Sequence, residues 1–171
     1  MRVEQLRPYL WRWTAPHPDW RPEHAEGGQG WEREVGSTAL VRGDAFVLID
    51  PQAPADGGDR ERFWAAVDRD VQHHGPPHVV ITVPWHARST AEFAGRYEGA
   101  TVWVHEPVTG EVEGLRPTHT FTVEDGLPGG MRAFDTGWQH EVALWLSEHG
   151  ALVTGDVILG GPDGLRLLPD S

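Results

Sequence analysis

The chain has 171 residues, enough for one domain with its own core, and we expect a single domain over residues 1–171. The formal net charge of -12 argues against nucleic acid and against anionic membrane surfaces as partners. The sequence contains neither an apolar run near the ~18 residues of a membrane helix nor a secretory signal. Because cysteine is absent, disulfides, thiolate-held zinc and a thiol nucleophile are excluded. We therefore expect a soluble, cytoplasmic protein.

Arginine supplies all the strongly basic side chains, since the sequence has no lysine, and it has no asparagine either. Both missing residues have A/T-rich codons, so this usage indicates a GC-rich bacterial genome. Without lysine, Schiff-base chemistry and a phosphate-binding P-loop lysine are excluded as well.

Apolar patterns in the first half of the chain predict strands followed by one long helix. A hairpin is the clearest element, because β-branched and apolar residues flank a turn at residues 42–45. In the helix, Phe63, Val67 and Val71 recur on one face, and Asp59 is the expected cap. The predicted order is a strand over Val3–Trp13, an irregular stretch over 14–30, hairpin strands over 37–41 and 46–49, and the helix over Gly57–His74.

The second half continues with buried strands and a short helix. Ser89 and Glu92 form a predicted capping box for a helix that reaches Tyr97. Because strands outnumber helices and two strand–helix–strand units lie mid-chain, the sequence predicts an α/β or α+β sandwich with the helices outside. The predicted strands cover 78–83, 101–104, 119–123 and 131–136, followed by a hairpin that pairs 142–146 with 151–154.

Two local motifs and the order of the elements are similar to a known fold. A strand ends in Leu48-Ile49-Asp50, a buried strand ends at Thr82 in a polar loop, and a hairpin ends in Leu152-Val153-Thr154-Gly155-Asp156. In this order they resemble the metallo-β-lactamase fold family, most clearly over residues 37–159. The resemblance implies an αββα arrangement and a relation to a superfamily of mostly hydrolytic enzymes that use one or two metal ions.

The loop after the buried strand departs from that family's metal-binding motif. The family carries Thr-His-x-His-x-Asp-His there, and these side chains hold metal that polarises substrate and activates water. The equivalent here is residues 82–88, whose only imidazole, His86, falls on a spacer position. The four ligand positions carry Val83, Trp85, Ala87 and Arg88.

The later ligand positions of the family are also mostly lost. Gly137 stands where the family has its next histidine, and His140 comes three residues too late. The metal-bridging aspartate does have a match, Asp156. The family's last histidine lies well beyond that aspartate, whereas this chain ends fifteen residues later at Ser171. The resemblance therefore predicts that the final helix and strand are missing, either because the protein is a short form or because this sequence is part of a longer one.

The surviving carboxylate is predicted to pair with an arginine instead of a metal. A zinc or iron site needs about three protein ligands, and the aligned positions supply only Asp156. Arg88 brings a fixed positive charge to a former ligand position. At about 4 Å and an effective dielectric constant of ~20, two like unit charges repel each other by about 4 kcal/mol. The repulsion between the Arg88 guanidinium and a divalent cation would be roughly twice that. We expect an Arg88–Asp156 salt bridge, and we expect Asp50 to be a turn or cap residue.

The first functional hypothesis is a domain with a dismantled metal site. The predicted pocket is lined by Trp85, Arg88, Trp138 and Asp156, and a pocket with indoles in place of imidazoles suits stacking better than hydrolysis. Under this hypothesis the protein is free of metal and cofactor and binds an unidentified small molecule, which is an anion in one version. In another version it binds no ligand and is a non-catalytic part of an assembly.

A second hypothesis is a surviving metal-dependent hydrolase. His86, His140 and Asp156 lie on three loops that would converge in the family's pocket, so they could hold one zinc or iron ion in a rearranged site. Such an enzyme would hydrolyse an ester, thioester or lactam-like bond. A metal-independent enzyme that uses His86 and Arg88 as catalytic residues is a further alternative.

The predicted loss of the final elements has a consequence for assembly. An uncovered sheet edge or face favours association between copies, so a homo-oligomer is the expected state.

Overall fold

A computed structural model describes residues 1–26, 32–55, 57–112, 115–138, 140–161 and 164–167. In the described part of the chain, twelve strands are connected or flanked by three α-helices. The helices are α1 (Pro22–Glu26), α2 (Gly57–His74) and α3 (Thr90–Arg96). The strands are β1 (Arg2–Arg7), β2 (Leu10–Pro16), β3 (Glu34–Arg42), β4 (Ala45–Ile49), β5 (His78–Ile81), β6 (Thr101–His105), β7 (His119–Phe121), β8 (Arg132–Asp135), β9 (Val142–Leu146), β10 (Ala151–Val153), β11 (Ile158–Gly161) and β12 (Gly164–Leu167).

The strands form a large mixed sheet, a small antiparallel sheet and a separate hairpin. The large sheet has seven strands in sequence order from β1 to β7. Its first four strands are antiparallel neighbours, and β4 to β7 run parallel. The small sheet has the order β10-β9-β8, and β11 pairs with β12. The mixed α/β architecture confirms the predicted fold class.

Two apolar clusters on opposite faces of the large sheet hold the layers together. One cluster joins the large sheet to the small sheet, since it contains Val47 and Val80 from the former and Leu144 from the latter. The other joins the large sheet to the helices, with Trp13 packed against Phe63 of α2. This arrangement follows from the spacing of the apolar residues, which recur about every second residue along the strands and about every 3.6 residues along α2.

The first predicted strand is in fact a hairpin. Val3–Trp13 was expected to be one element, but the chain reverses at Tyr9, which has a φ of 63°, and β1 pairs antiparallel with β2. Alternation of polar and apolar residues is the same in one long strand and in two short ones, so the pattern does not reveal the turn. Within the expected irregular stretch, β2 extends to Pro16 and α1 forms, while residues 27–30 lie outside the described part.

The other predicted elements are confirmed with small changes in their bounds. Helix α2 has the predicted limits, and the turn between β3 and β4 is a two-residue turn because Arg42 pairs with Ala45. Gly43 takes a φ of 58° there, a conformation that favours glycine. The hairpin β11–β12 was not predicted.

Neither predicted helix cap is formed. Asp59 lies inside the first turn of α2, and its carboxylate accepts a hydrogen bond from the amino group of Met1 at 2.6 Å. Ser89 precedes α3, but its hydroxyl makes no bond to the helix. Instead, Ser89 Oγ accepts hydrogen bonds from the main-chain N–H of Ala53 at 2.9 Å and from Gln52 Nε2 at 3.2 Å. The serine therefore fastens two loops to each other.

The outer face of the small sheet carries exposed apolar side chains. Phe134 is 45% exposed and Leu152 is 49% exposed. These side chains are compatible with association between copies of the chain, and the homo-oligomer stays a prediction. In the part of the chain that the structure describes, no helix has the length and apolar character needed to span a membrane.

We predict that Ser89→Ala lowers the free energy of unfolding by about 1–3 kcal/mol, because it leaves two buried donors without their acceptor. Urea denaturation followed by circular dichroism measures the change. Ser147→Ala is the matched control, since this serine is exposed on the far hairpin. Equal stability of the two variants would show that the loop contact contributes nothing.

Candidate functional site

The site lies where the carboxyl ends of β4 and β5 meet the turn after β10. Asp50 directly follows β4, and Thr82 directly follows β5. The Asp50 carboxylate accepts two hydrogen bonds from Thr82, one from its main-chain N–H at 2.9 Å and one from its hydroxyl at 2.5 Å. Loops at the carboxyl ends of parallel strands are the usual position of a ligand site in such sheets.

Asp50 is held in an unusual backbone conformation. Its φ is 48°, which is uncommon for a residue with a side chain. The Asp50 carbonyl accepts hydrogen bonds from Ser37 Oγ at 2.8 Å and from Arg88 Nη1 at 3.1 Å. These contacts hold the carboxylate inside the protein, where the residue is 4% exposed. Asp50 is thus part of the site, beyond the turn role expected from the sequence.

His86 occupies the centre of the site. It lies on a short 3₁₀ turn, Pro84–Ala87, and is only 6% exposed. Its Nδ1 lies 3.0 Å from Asp50 Oδ2, and its Nε2 lies 3.3 Å from Asp156 Oδ1. Both nitrogens of the imidazole therefore face carboxylates, and a protonated ring satisfies both of them.

The two carboxylates favour the charged form of this imidazole. Burial lowers the pKa of His86, but the charge of Asp50 and hydrogen bonds to Asp156 and Asp50 outweigh burial, so the pKa is raised. For Asp156, burial acts to raise the pKa. Hydrogen bonding and charge from His86, with help from Trp85 and Arg88, reverse this effect and lower the pKa. The raised pKa of His86 and the lowered pKa of Asp156 both favour an ionic contact between the two side chains.

The predicted Arg88–Asp156 salt bridge is wrong. Arg88 Nη1 donates to the main-chain carbonyls of Gly36 at 2.7 Å and Asp50 at 3.1 Å, whereas His86 takes the place next to Asp156. Arg88 has a φ of 41°, and its side chain reaches Gly36 in β3. Burial lowers the pKa of Arg88, and the carboxylates of Asp50 and Asp156 oppose this shift.

Glu141 is a site residue that the sequence analysis missed. It is completely buried, and its carboxylate accepts main-chain N–H bonds from Gly155 at 3.0 Å, Asp156 at 2.6 Å and Val157 at 3.0 Å. Burial raises the pKa of Glu141, and the three N–H bonds oppose this shift. A glutamate directly before the apolar strand β9 is the signal that could have identified it, since such a position is adjacent to the core.

Two tryptophans cover the site from outside. Trp85 is 46% exposed, and its Nε1 donates to Asp156 Oδ2 at 2.7 Å. The Trp85 and Trp138 rings meet edge to face, with centroids 5.8 Å apart and planes at 89°. Trp138 Nε1 and Arg88 Nε are buried and have no hydrogen-bond partner within the described residues. The structure therefore brings together four predicted pocket residues, Trp85, Arg88, Trp138 and Asp156.

His140 is the predicted site residue that does not join this group. It is exposed, has a φ of 59°, and contributes its main-chain carbonyl to a 3.4 Å contact with His105 Nδ1. Over the described ranges, which omit Gln139, no three His, Asp or Glu side chains are arranged to hold a metal ion. The loop after β2 does approach the site, because burial and the nearby charge of Arg88 lower the pKa of His17.

The donor set does not fit the family's metal site. Both oxygens of the Asp156 carboxylate are engaged, one by His86 and one by Trp85. Of the remaining aligned positions, none carries a side chain that ligates zinc or iron, and Arg88 places a buried guanidinium beside them. No catalytic step through a metal ion is therefore derived from these residues.

Solved structures similar to this chain share one fold. The DIM-1 metallo-β-lactamase exposed to ceftazidime superposes with a TM-score of 0.67 at 13% identity, covering 92% of this chain and 70% of that chain. The metallo-β-lactamase IND-7 gives 0.66 at 14% identity, covering 92% and 71%. A metallo-β-lactamase family protein from Thermus thermophilus gives 0.62 at 19% identity, covering 91% and 61%. No protein-family profile and no curated protein sequence matches.

The chain therefore has the metallo-β-lactamase fold, as the resemblance implied. Identities this low show the fold alone, so the activities of those proteins do not transfer with it.

We predict that stability falls at alkaline pH through His86. The folded protein holds the imidazole proton more tightly than the unfolded chain, whose histidine pKa is about 6.5. The stabilising contribution is therefore complete below about pH 6.5, and it is lost as the pH rises through the higher pKa of the folded state.

The variant His86→Gln tests this pH dependence. At pH 6 it should lower the free energy of unfolding by about 3 kcal/mol, because it leaves two carboxylates without their cation. It should also flatten the decline above pH 6.5. Thermal unfolding across pH measures both effects, and His149→Gln, on the distant hairpin, is the control. A steep alkaline decline that persists in His86→Gln would contradict the assignment.

We predict that Gly155→Ala destabilises the site by about 1–3 kcal/mol through overpacking. A Cβ at this position would lie 2.9 Å from Thr82 Oγ1 and 3.0 Å from the Glu141 carboxylate. Gly160→Ala is the matched control, since a Cβ there meets no atom within 4 Å. Chemical denaturation compares the two variants, and equal stabilities would show that the close approach at Gly155 is unimportant.

Proposed function

We propose that this protein is a metal-free, small-molecule-binding domain on the metallo-β-lactamase fold. The observation that carries the proposal is the position of His86, whose imidazole bridges Asp50 at 3.0 Å and Asp156 at 3.3 Å. A protonated imidazole there supplies positive charge next to the one carboxylate that matches a family metal ligand.

The charges near Asp156 balance without a divalent ion. Two carboxylates, Asp50 and Asp156, face two cationic groups, His86 and Arg88. A metal ion added to this cluster would have to displace His86 or Trp85 from Asp156 and would be repelled by Arg88 at about 8 kcal/mol, for a separation of ~4 Å and an effective dielectric constant of ~20. The cluster is therefore a substitute for a metal, held together by ionic hydrogen bonds.

The aromatic cover supports binding instead of hydrolysis. Trp85 stands at a former histidine position and is half-exposed above Asp156, and Trp138 packs against it. Indole surfaces of this kind bind apolar or planar groups through large contact areas. Neither nitrogen of His86 is available to activate water, since both face carboxylates.

A mononuclear hydrolase is the alternative function. The observation in its favour is that His86 and Asp156, two of its three candidate ligands, lie 3.3 Å apart. It requires His140 to leave the surface and join them, and it requires the imidazolium to give up its proton. An ester, thioester or lactam-like bond would be its substrate.

Metal content separates the two functions. We expect plasma mass spectrometry of tag-free protein to find far less than one zinc or iron ion per chain, before and after loading with each metal. A ligand that binds the folded state raises the melting temperature. If the protein binds no metal, neither added zinc nor a chelator should therefore change that temperature. One tightly held ion per chain, lost in both His86→Ala and Asp156→Ala, would establish the hydrolase site instead.

A further inference from the structure

The two tryptophans that cover the site form a corner beside a carboxylate. The planes of Trp85 and Trp138 are at 89° with centroids 5.8 Å apart, so their faces form two perpendicular walls. Trp85 is 46% exposed, and its Nε1 holds Asp156 Oδ2 at 2.7 Å, which places the carboxylate at the edge of this corner. The faces of indole rings carry negative electrostatic potential and attract cations.

The surrounding charges also favour a cation. Asp156 contacts the Trp85 indole directly, whereas the Arg88 guanidinium donates to the main-chain carbonyls of Gly36 and Asp50. An acidic side chain therefore borders the corner, and the whole chain has a formal charge of -12. A field of this sign raises the local concentration of cations and lowers that of anions.

We propose that the corner between Trp85 and Trp138 binds a quaternary or N-methylated ammonium group. This inference rests on the proposed metal-free, ligand-binding function and names its ligand class. A methylated ammonium ion suits the corner because its charge is spread over methyl groups, which pack on indole faces and need no hydrogen-bond acceptor. The partly exposed side chain of Asp156 supplies the balancing charge at the rim.

The buried Trp138 Nε1 indicates a second feature of the ligand. This donor has no partner within the described residues, and an unpaired buried donor is costly. Once the Trp138 indole turns to expose this nitrogen, which is inaccessible to solvent in this structure, an oxygen atom a few bonds from the ammonium nitrogen, as in an amino alcohol or a betaine, could accept its hydrogen. Choline has both groups and is therefore the appropriate probe.

An anionic ligand is the competing occupant. Arg88 Nε is a second buried donor without a partner among the described residues, and an anion would satisfy it. However, Arg88 Nη1 already donates to two main-chain carbonyls, and an anion at the corner would lie beside the Asp156 carboxylate. The balance of charge therefore favours the cation, and anion binding is an outcome that the experiment must be able to detect.

The experiment compares choline with its neutral isostere, the alcohol in which carbon replaces the nitrogen. Isothermal titration calorimetry should show that choline binds at least about tenfold more tightly than the isostere, since only the charge differs between them. Trp85→Leu should abolish choline binding, and because this side chain is half-exposed the variant should remain folded. Trp145→Leu, on the small sheet, is the matched control and should bind as the natural chain does.

Three results would overturn the inference: equal affinity for choline and its isostere, preference for acetate or chloride over choline, and no choline binding at tens of millimolar. The same preparation is assayed for metal by mass spectrometry. Stoichiometric metal would refute the metal-free function itself, whereas metal-free protein with any of the three results refutes the ligand class alone.

Discussion

The contact of one imidazole with two carboxylates determines the character of this site. His86 lies between Asp50 and Asp156 and is nearly inaccessible to solvent. Because each carboxylate would be costly to bury without a cation, the imidazole stabilises both at once, and each partner holds the next in position. The metallo-β-lactamase fold ordinarily converges its loops on metal, and here the loops converge on the side chain of His86.

The other site contacts keep this arrangement in register. Thr82 fixes the Asp50 carboxylate with two hydrogen bonds, and Glu141 binds three successive main-chain N–H groups in the turn that carries Asp156. The main-chain N–H of Val142 donates to the carbonyl of Thr82 at 3.0 Å, which joins the small sheet to the large one. The two halves of the sandwich therefore meet at Thr82, a residue that also holds the site.

This chain shares its fold with the solved metallo-β-lactamases, but the residues of its site differ in chemistry. Superposition over 92% of the chain at 13% identity shows that the apolar layers tolerate almost complete replacement of residues. The site has no such tolerance, because its properties depend on individual donors and charges. Replacing imidazoles by Trp85 and Arg88 removes ligand atoms, adds a fixed cation and exposes an aromatic surface, while the strands beneath remain in place.

Most of the elements and their order could be predicted from the sequence, because periodicity and turn chemistry are local. The sequence predicted the limits of α2 and the hairpin β3–β4, and it showed that residues 83–88 lack the ligands of the resembled family. The pairing of the site's side chains could not be predicted in the same way. Asp50, His86, Glu141 and the turn at 155–157 are distant in sequence, so their contacts depend on strand register, loop path and backbone dihedral angles. The expected Arg88–Asp156 pair is replaced by His86 and Asp156, because Arg88 instead donates to the main-chain carbonyls of Gly36 and Asp50.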